Sequence, residues 1–264
     1  MEEKQILIKG LTVNYKVFGP PLTENTASQN KSKPMLILHG WPSSSEKWIE
    51  VGALLAEKGL KVIIPDLPGF GKSQEPLQAL NTDGYIEWIR EFCDNLPDLK
   101  KDFYLVGHSF GGGLSAKFAV KYNQRIIKLF LISAATIREI TPKKKFFYKM
   151  AKIVKIFSFI PYYDFIRKAF YKFVIRKSDY IYQKGIMKDT YVKIISEDLS
   201  FRLSFIKVPT IIIWGDKDNL TPIEDANFIH EKIKDSKLIV INDKKHSLQL
   251  EAPEILTEKI LENV

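Results

Sequence analysis

The chain of 264 residues contains one cysteine, Cys93, which excludes an internal disulfide and fits a reducing compartment. No neighbour in the sequence would stabilise a thiolate there, so Cys93 is expected to be a small core residue rather than a nucleophile. No apolar run approaches the roughly 20 residues that a bilayer-spanning helix needs. The opening residues MEEKQILIKG lack the basic stretch followed by an apolar one that marks a secretory signal, and the expected location is cytoplasmic. Internal repeats and low-complexity tracts are absent as well. Residues 19–34 are polar and turn-rich and read as a surface loop; nothing else resembles a linker, so one core is expected.

Acidic residues are scarce in one place. The net charge is +9, yet residues 136–205 hold 12 Lys and 4 Arg against 6 Asp and Glu, an excess of ten. The basic surplus therefore sits in that block, which also holds 16 of the 32 aromatic residues. Such a block raises an acidic protein, an anionic membrane surface or a nucleic acid as partner. Nucleic acid is not expected, because no recognisable binding module accompanies the charge.

Short apolar runs rich in β-branched residues recur at 34–38, 61–65, 103–107, 127–133, 210–214 and 237–241. Near-continuous apolarity is what a strand buried on both faces of a parallel sheet requires. Segments 49–58, 84–96, 111–122, 222–234 and 253–262 carry helical spacing or helix formers between them. The alternation predicts an α/β fold with a doubly wound, mostly parallel sheet. The N-terminal KQILIKGLTVNYKVFG alternates around a central glycine and reads as an antiparallel hairpin at the sheet edge. Block 136–205 breaks this rhythm. It reads as a helical insertion, with Phe146, Met150, Ile153, Val154 and Phe157 at helical spacing and lysines on the other face. The expected division is 1–135 and 206–264 as the core and 136–205 as a helical cap.

The stretch FYLVGHSFGG places Ser109 in G-x-S-x-G between a buried strand and a helix. At such a junction the serine is held in a strained turn, and glycines flank it because a β-carbon would collide with the adjoining strand and helix. The helix start also brings backbone N–H groups to the hydroxyl. A serine hydroxyl needs a base, and the base an orienting acid. Of four histidines, His246 follows the last expected strand in a loop and is the candidate base. His108 adjoins the serine and is expected to point elsewhere; His39 is expected to fix its own loop; His230 lies in a helical segment. For the acid, Asp216 and Asp218 both follow the strand at 210–214, and Asp218 reaches further from the strand end.

Together the pieces HGWP (39–42), DLPGFGKS (66–73), GHSFGG (107–112), WGDKDNLTP (214–222) and HSLQLEAPE (246–254) resemble the α/β-hydrolase superfamily over nearly the whole length. The resemblance implies Ser109 as nucleophile, His246 as base, Asp218 as its orienting acid, and an oxyanion hole from the backbone N–H groups of Trp41 and Phe110. It implies no cofactor and no metal, and it treats Asp66, Gly69 and Gly71 as a structural loop. Lys244 and Lys245 depart from the small residue that often precedes the histidine, and they are expected to face solvent. Pro42 is shared with epoxide hydrolases and dehalogenases, whose nucleophile is aspartate; serine at the elbow disfavours those reactions.

These readings lead to a serine hydrolase cleaving a carboxylic ester, thioester or lactone with an apolar acyl or aryl group. Carbon–carbon bond hydrolysis with the same triad, and a non-catalytic ligand- or partner-binding protein, stand as alternatives. The motifs also resemble the carboxylesterase of biotin synthesis, whose substrate is tethered to an acidic carrier protein. A basic cap would suit such a carrier or an anionic membrane surface.

Overall fold

The computed structural model describes residues 1–20, 33–137 and 184–264. Most of the expected loop at 19–34 and most of the expected cap lie outside the described residues. With residues 138–183 go the amphipathic stretch around Phe146–Phe157 and the greater part of the basic block proposed to meet a carrier protein or membrane.

Eight strands form one sheet among the described residues: β1 (Glu2–Ile8), β2 (Leu11–Phe18), β3 (Met35–Leu38), β4 (Val62–Pro65), β5 (Phe103–His108), β6 (Ile126–Ile132), β7 (Thr210–Gly215) and β8 (Ser236–Ile241). Their spatial order is β1-β2-β4-β3-β5-β6-β7-β8. β1 and β2 form the antiparallel hairpin, β2 pairs antiparallel with β4, and every pairing from β4 to β8 is parallel. The hairpin turns at Lys9 and Gly10, both with positive φ (50° and 77°), as a tight primed turn requires.

The central strands are buried on both faces, and their alternate residues serve two cores. Met35 and Ile37 of β3 pack with Val51 and Leu55 of α1 (Ile49–Glu57) and with Leu256 and Ile260 of the C-terminal helix Pro253–Leu261. Leu36 and Leu38 face the other way, with Ile86 and Ile89 of α2 (Thr82–Asn95), Leu114 of α3 (Phe110–Lys121) and Ile194 of α4 (Gly185–Ile195). The fourth helix on that side, α5 (Ile223–Lys232), contributes Ala226 and Ile229. The C-terminal helix is preceded by one short helix, so in chain order α6 is Leu248–Glu251 and α7 is Pro253–Leu261.

Among the element boundaries that differ from expectation, two have a local physical reason. β6 ends at Ile132 because Ser133, whose N–H still makes the last ladder bond to the Ile213 carbonyl at 3.1 Å, takes a positive φ of 44° that turns the chain following it away from the strand. α2 starts at Thr82 rather than 84 because the Asn81 side chain accepts the Gly84 N–H at 2.9 Å and caps it. Cys93 is buried in the core on α2, where burial pushes its thiol up to about 12. Of the block 136–205, the described residues include α4 and a 3-10 segment, Ser200–Phe205. Among the described residues no helix is long and apolar enough to cross a membrane.

The chain steps from β3 to β4 on one side and then back across to β5 on the other. This reversal leaves a crevice outside the carboxyl ends of β3 and β5, where open α/β sheets place their ligands.

Candidate active site

Four loops converge there, each following the carboxyl end of a strand. They contribute 39–41 after β3, Ser109 after β5, Asp218 after β7 and His246 after β8. Ser109 stands between β5 and α3 with φ 52° and ψ −116°, outside the regions ordinary residues occupy. The surroundings hold it in that conformation. Its N–H donates to the Ile132 carbonyl at 3.0 Å, and its own carbonyl accepts from Gly113 at 3.0 Å and Ala135 at 2.9 Å. The flanking glycines are sterically required. A β-carbon on Gly107 would overlap the Ser115 hydroxyl, and one on Gly111 would overlap the carbonyls of Leu38 and His39 at the end of β3. Ser109 is half-buried and makes no capping bond to its own helix. Phe110 opens α3, so its N–H is among the helix-start donors that no intrahelical carbonyl can take.

Asp218 and Asp216 separate cleanly. Asp216 is exposed, whereas Asp218 is buried with its Oδ2 2.7 Å from Nδ1 of His246. Oδ1 of Asp218 accepts the backbone N–H groups of Leu220 (2.8 Å) and Thr221 (3.0 Å), and Oδ2 also accepts the Thr221 hydroxyl at 2.9 Å. Burial by itself would raise this carboxyl. The bond from His246, the charge that ring can carry and the two N–H groups outweigh it, holding Asp218 at about 2. It is therefore ionised throughout the physiological range. His246 keeps 14% of its side chain exposed, against 0% for Asp218. One partner is dry, and the other opens toward solvent.

Thr221 joins this group although nothing in its residue type singles it out. Its hydroxyl lies 2.9 Å from Asp218 Oδ2, 3.2 Å from His246 Nδ1 and 3.3 Å from the Ser133 carbonyl, and its own carbonyl accepts the Trp214 indole N–H at 2.8 Å. The signal for it was the D-N-L-T spacing, in which an aspartate accepts N–H groups two and three residues on, as an Asx turn does. Replacing Thr221 with valine keeps the volume and removes the hydroxyl. A hydrogen bond to a charged group contributes about 1.5–3 kcal/mol, so kcat/KM of Thr221→Val is expected to fall roughly tenfold or more. An unchanged kcat/KM would show that the hydroxyl is not needed to hold the pair.

The other histidines take defined positions. His39 is buried and fixes its loop, its Nδ1 lying 2.8 Å from the Gly40 carbonyl while Nε2 accepts the Leu67 N–H at 3.0 Å. Burial pushes its pKa down. His230 is exposed and meets the Ser236 hydroxyl. His108 reaches toward His246, which the sequence did not suggest; the ring centroids are 4.9 Å apart. Lys245 is exposed and Lys244 half-buried. Asp66 is buried and accepts N–H groups from Ser45 (2.7 Å), Asn14 (2.9 Å) and Lys72 (3.0 Å), which tie its loop to β2 and to the residues after β3.

Trp41 borders the serine on an aromatic wall. Its ring lies 4.6 Å from Phe70, 5.6 Å from Phe110 and 5.3 Å from Tyr191 of α4. α4 also seats Met187 so close to Gly69 that a β-carbon there would overlap its sulfur. α4 thus packs directly against the 66–73 loop and Trp41.

A family model described as alpha/beta hydrolase fold matches residues 33–171 and 187–253. The chain belongs to that family. It is 26% identical over 263 residues to the monoacylglycerol lipase ABHD6 of Bos taurus, covering 83% of this chain and 71% of that lipase. It is 27% identical over 241 residues to lipase 3 of Moraxella sp. (strain TA144), covering 83% and 73%. Among solved structures, a meta-cleavage product hydrolase from Pseudomonas fluorescens IP01 superposes with a TM-score of 0.70 at 22% identity. That match covers 98% of this chain and 96% of the other.

Proposed function

We propose that this member of the alpha/beta hydrolase fold family is a cofactor-free serine hydrolase. Its substrate is a carboxylic ester, thioester or lactone with an apolar acyl or aryl group. The observation that carries the reading is the 2.7 Å contact between the buried Asp218 carboxylate and His246 Nδ1, in loops beside the strained Ser109. With Nδ1–H given to Asp218, Nε2 of His246 is left as the free base. It takes the Ser109 proton as Oγ adds to the substrate carbonyl. The backbone N–H groups of Trp41 and Phe110 receive the resulting oxyanion, each such donor being worth about 10²–10³ in rate. The tetrahedral intermediate collapses, the leaving alcohol or thiol departs with the proton from Nε2, and an acyl group remains on Ser109. Water then repeats the sequence, giving its proton to Nε2 and releasing the acid. The lipase names of the curated relatives support the ester class, and α4, a described helix of the block expected to form a cap, brings Tyr191 to the aromatic wall.

The aromatic wall of Trp41, Phe70, Phe110 and Tyr191 favours apolar acyl groups. Each methylene buried against it contributes about 0.8 kcal/mol, a factor of about four. In a series of p-nitrophenyl esters, kcat/KM is therefore expected to rise from acetate through butyrate to hexanoate. A flat series would remove the apolar acyl site, and no turnover of any ester or thioester would remove the esterase reading.

A further inference from the structure

We propose that His108 is a positioning residue for His246, clamping the backbone of the base's loop from beneath; the catalytic meaning of this clamp rests on the reading of His246 as the base. Nε2 of His108 lies 2.9 Å from the backbone carbonyl of His246, 138 residues away in the sequence. A carbonyl only accepts, so Nε2 carries the hydrogen and Nδ1 is the bare nitrogen. That bare Nδ1 is buried and has no hydrogen-bond partner among the described residues. It faces Gly40, where a β-carbon would come within 2.9 Å of Nδ1 and 3.1 Å of the Ser109 β-carbon. On another side the indole of Trp48 lies 6.0 Å from the ring. One imidazole therefore adjoins the loop after β3, is bonded through the chain to Ser109 after β5, and holds the loop after β8.

The other contacts of that last loop show why the clamp matters. The N–H groups of Lys245 and Ser247 both donate to the Glu251 carboxylate, at 3.0 and 3.2 Å, on the exposed side. The Lys244 carbonyl accepts from Lys217 at 2.9 Å. The bond to the His246 carbonyl comes instead from a buried donor, on the side of the loop away from Glu251. The charges around His108 come from Asp218, His246 and His39, with Lys244 and Lys245 beside the base in the chain. Burial above all, and His246 next, hold His108 at about 3. The ring stays neutral, so it adds no cation beside the imidazolium that His246 becomes during acyl transfer.

The test uses two variants and one measurement on the unaltered protein. His108→Gln keeps an N–H near the Nε2 position, whereas His108→Leu keeps volume without a donor. With p-nitrophenyl butyrate, His108→Leu is expected to lower kcat about 10- to 100-fold with KM changed less than threefold. His108→Gln is expected to recover most of that loss. The imidazole resonances of the protein without substrate, followed by proton–nitrogen NMR, report whether the ring of His246 sits in a different environment in His108→Leu. A resolved change in the His246 ring nitrogen and carbon-bound proton shifts at fixed pH is expected, and this readout stands even if no ester is turned over. Wild-type His108 is expected to remain in the Nε2–H form from pH 5 to 8. The proposal is overturned by an Nδ1–H or protonated His108 in that range. It is equally overturned by a folded His108→Leu protein with wild-type kcat and an unshifted His246.

Discussion

Ser109→Ala is expected to lower kcat toward p-nitrophenyl esters by about 10⁵- to 10⁶-fold, the scale on which loss of a serine nucleophile is felt when its base and acid remain in place. Stability is expected to stay within about 1 kcal/mol of wild type. The Ser109 side chain makes no capping bond, and the bonds that hold its unusual backbone run through its N–H and carbonyl, which alanine keeps. KM is expected to change little, because the aromatic wall and the N–H donors are unaltered. A thermal melt alongside the kinetics separates loss of chemistry from loss of fold. A variant within tenfold of wild type would mean that another group attacks the substrate.

Asp218→Asn is expected to cost about 10³- to 10⁴-fold in kcat, through the tautomer of the base rather than through charge alone. The Leu220 and Thr221 N–H groups need an oxygen, so an asparagine would keep Oδ1 toward them and turn its NH₂ toward His246. His246 Nδ1 would then have to accept, its hydrogen would move to Nε2, and Nε2, the proposed base, could no longer take a proton. Asp216→Asn is the matched control. Asp216 is exposed and its N–H donates to the Ile241 carbonyl, so its variant is expected within twofold of wild type. If the Asp216 variant were the crippled one, the acid would have to be reassigned.

Strands buried on both faces leave a mark that needs no structure to read, because both sets of alternate side chains must be apolar. Met35–Leu38 and Thr210–Gly215 were placed to within a residue for that reason. Ser109 was legible because the elbow needs glycines at 107 and 111, and Asp218 and His246 because each follows a strand in the order the resemblance implies. The bond from His108 to His246 was not legible, since neighbours 138 residues apart in the chain are set by strand order and side-chain direction together. Ser133 ends its strand through a positive φ that serine does not advertise. Thr221 carries no chemical signal of its own in the sequence, and its place as a bridge appears only once β6, β7 and β8 lie side by side. The aromatic wall was hidden similarly: Trp41, Phe70, Phe110 and Tyr191 come from four separate segments.

Covalent labelling with a fluorophosphonate, read by intact mass and then by peptide mapping, tests the central claim most directly. Wild type is expected to gain one label per chain, on the peptide containing Ser109, with Ser109→Ala unlabelled and Asp218→Asn labelled far more slowly. A label on another residue, or equal labelling of wild type and Ser109→Ala, would contradict the assignment of Ser109 as the nucleophile.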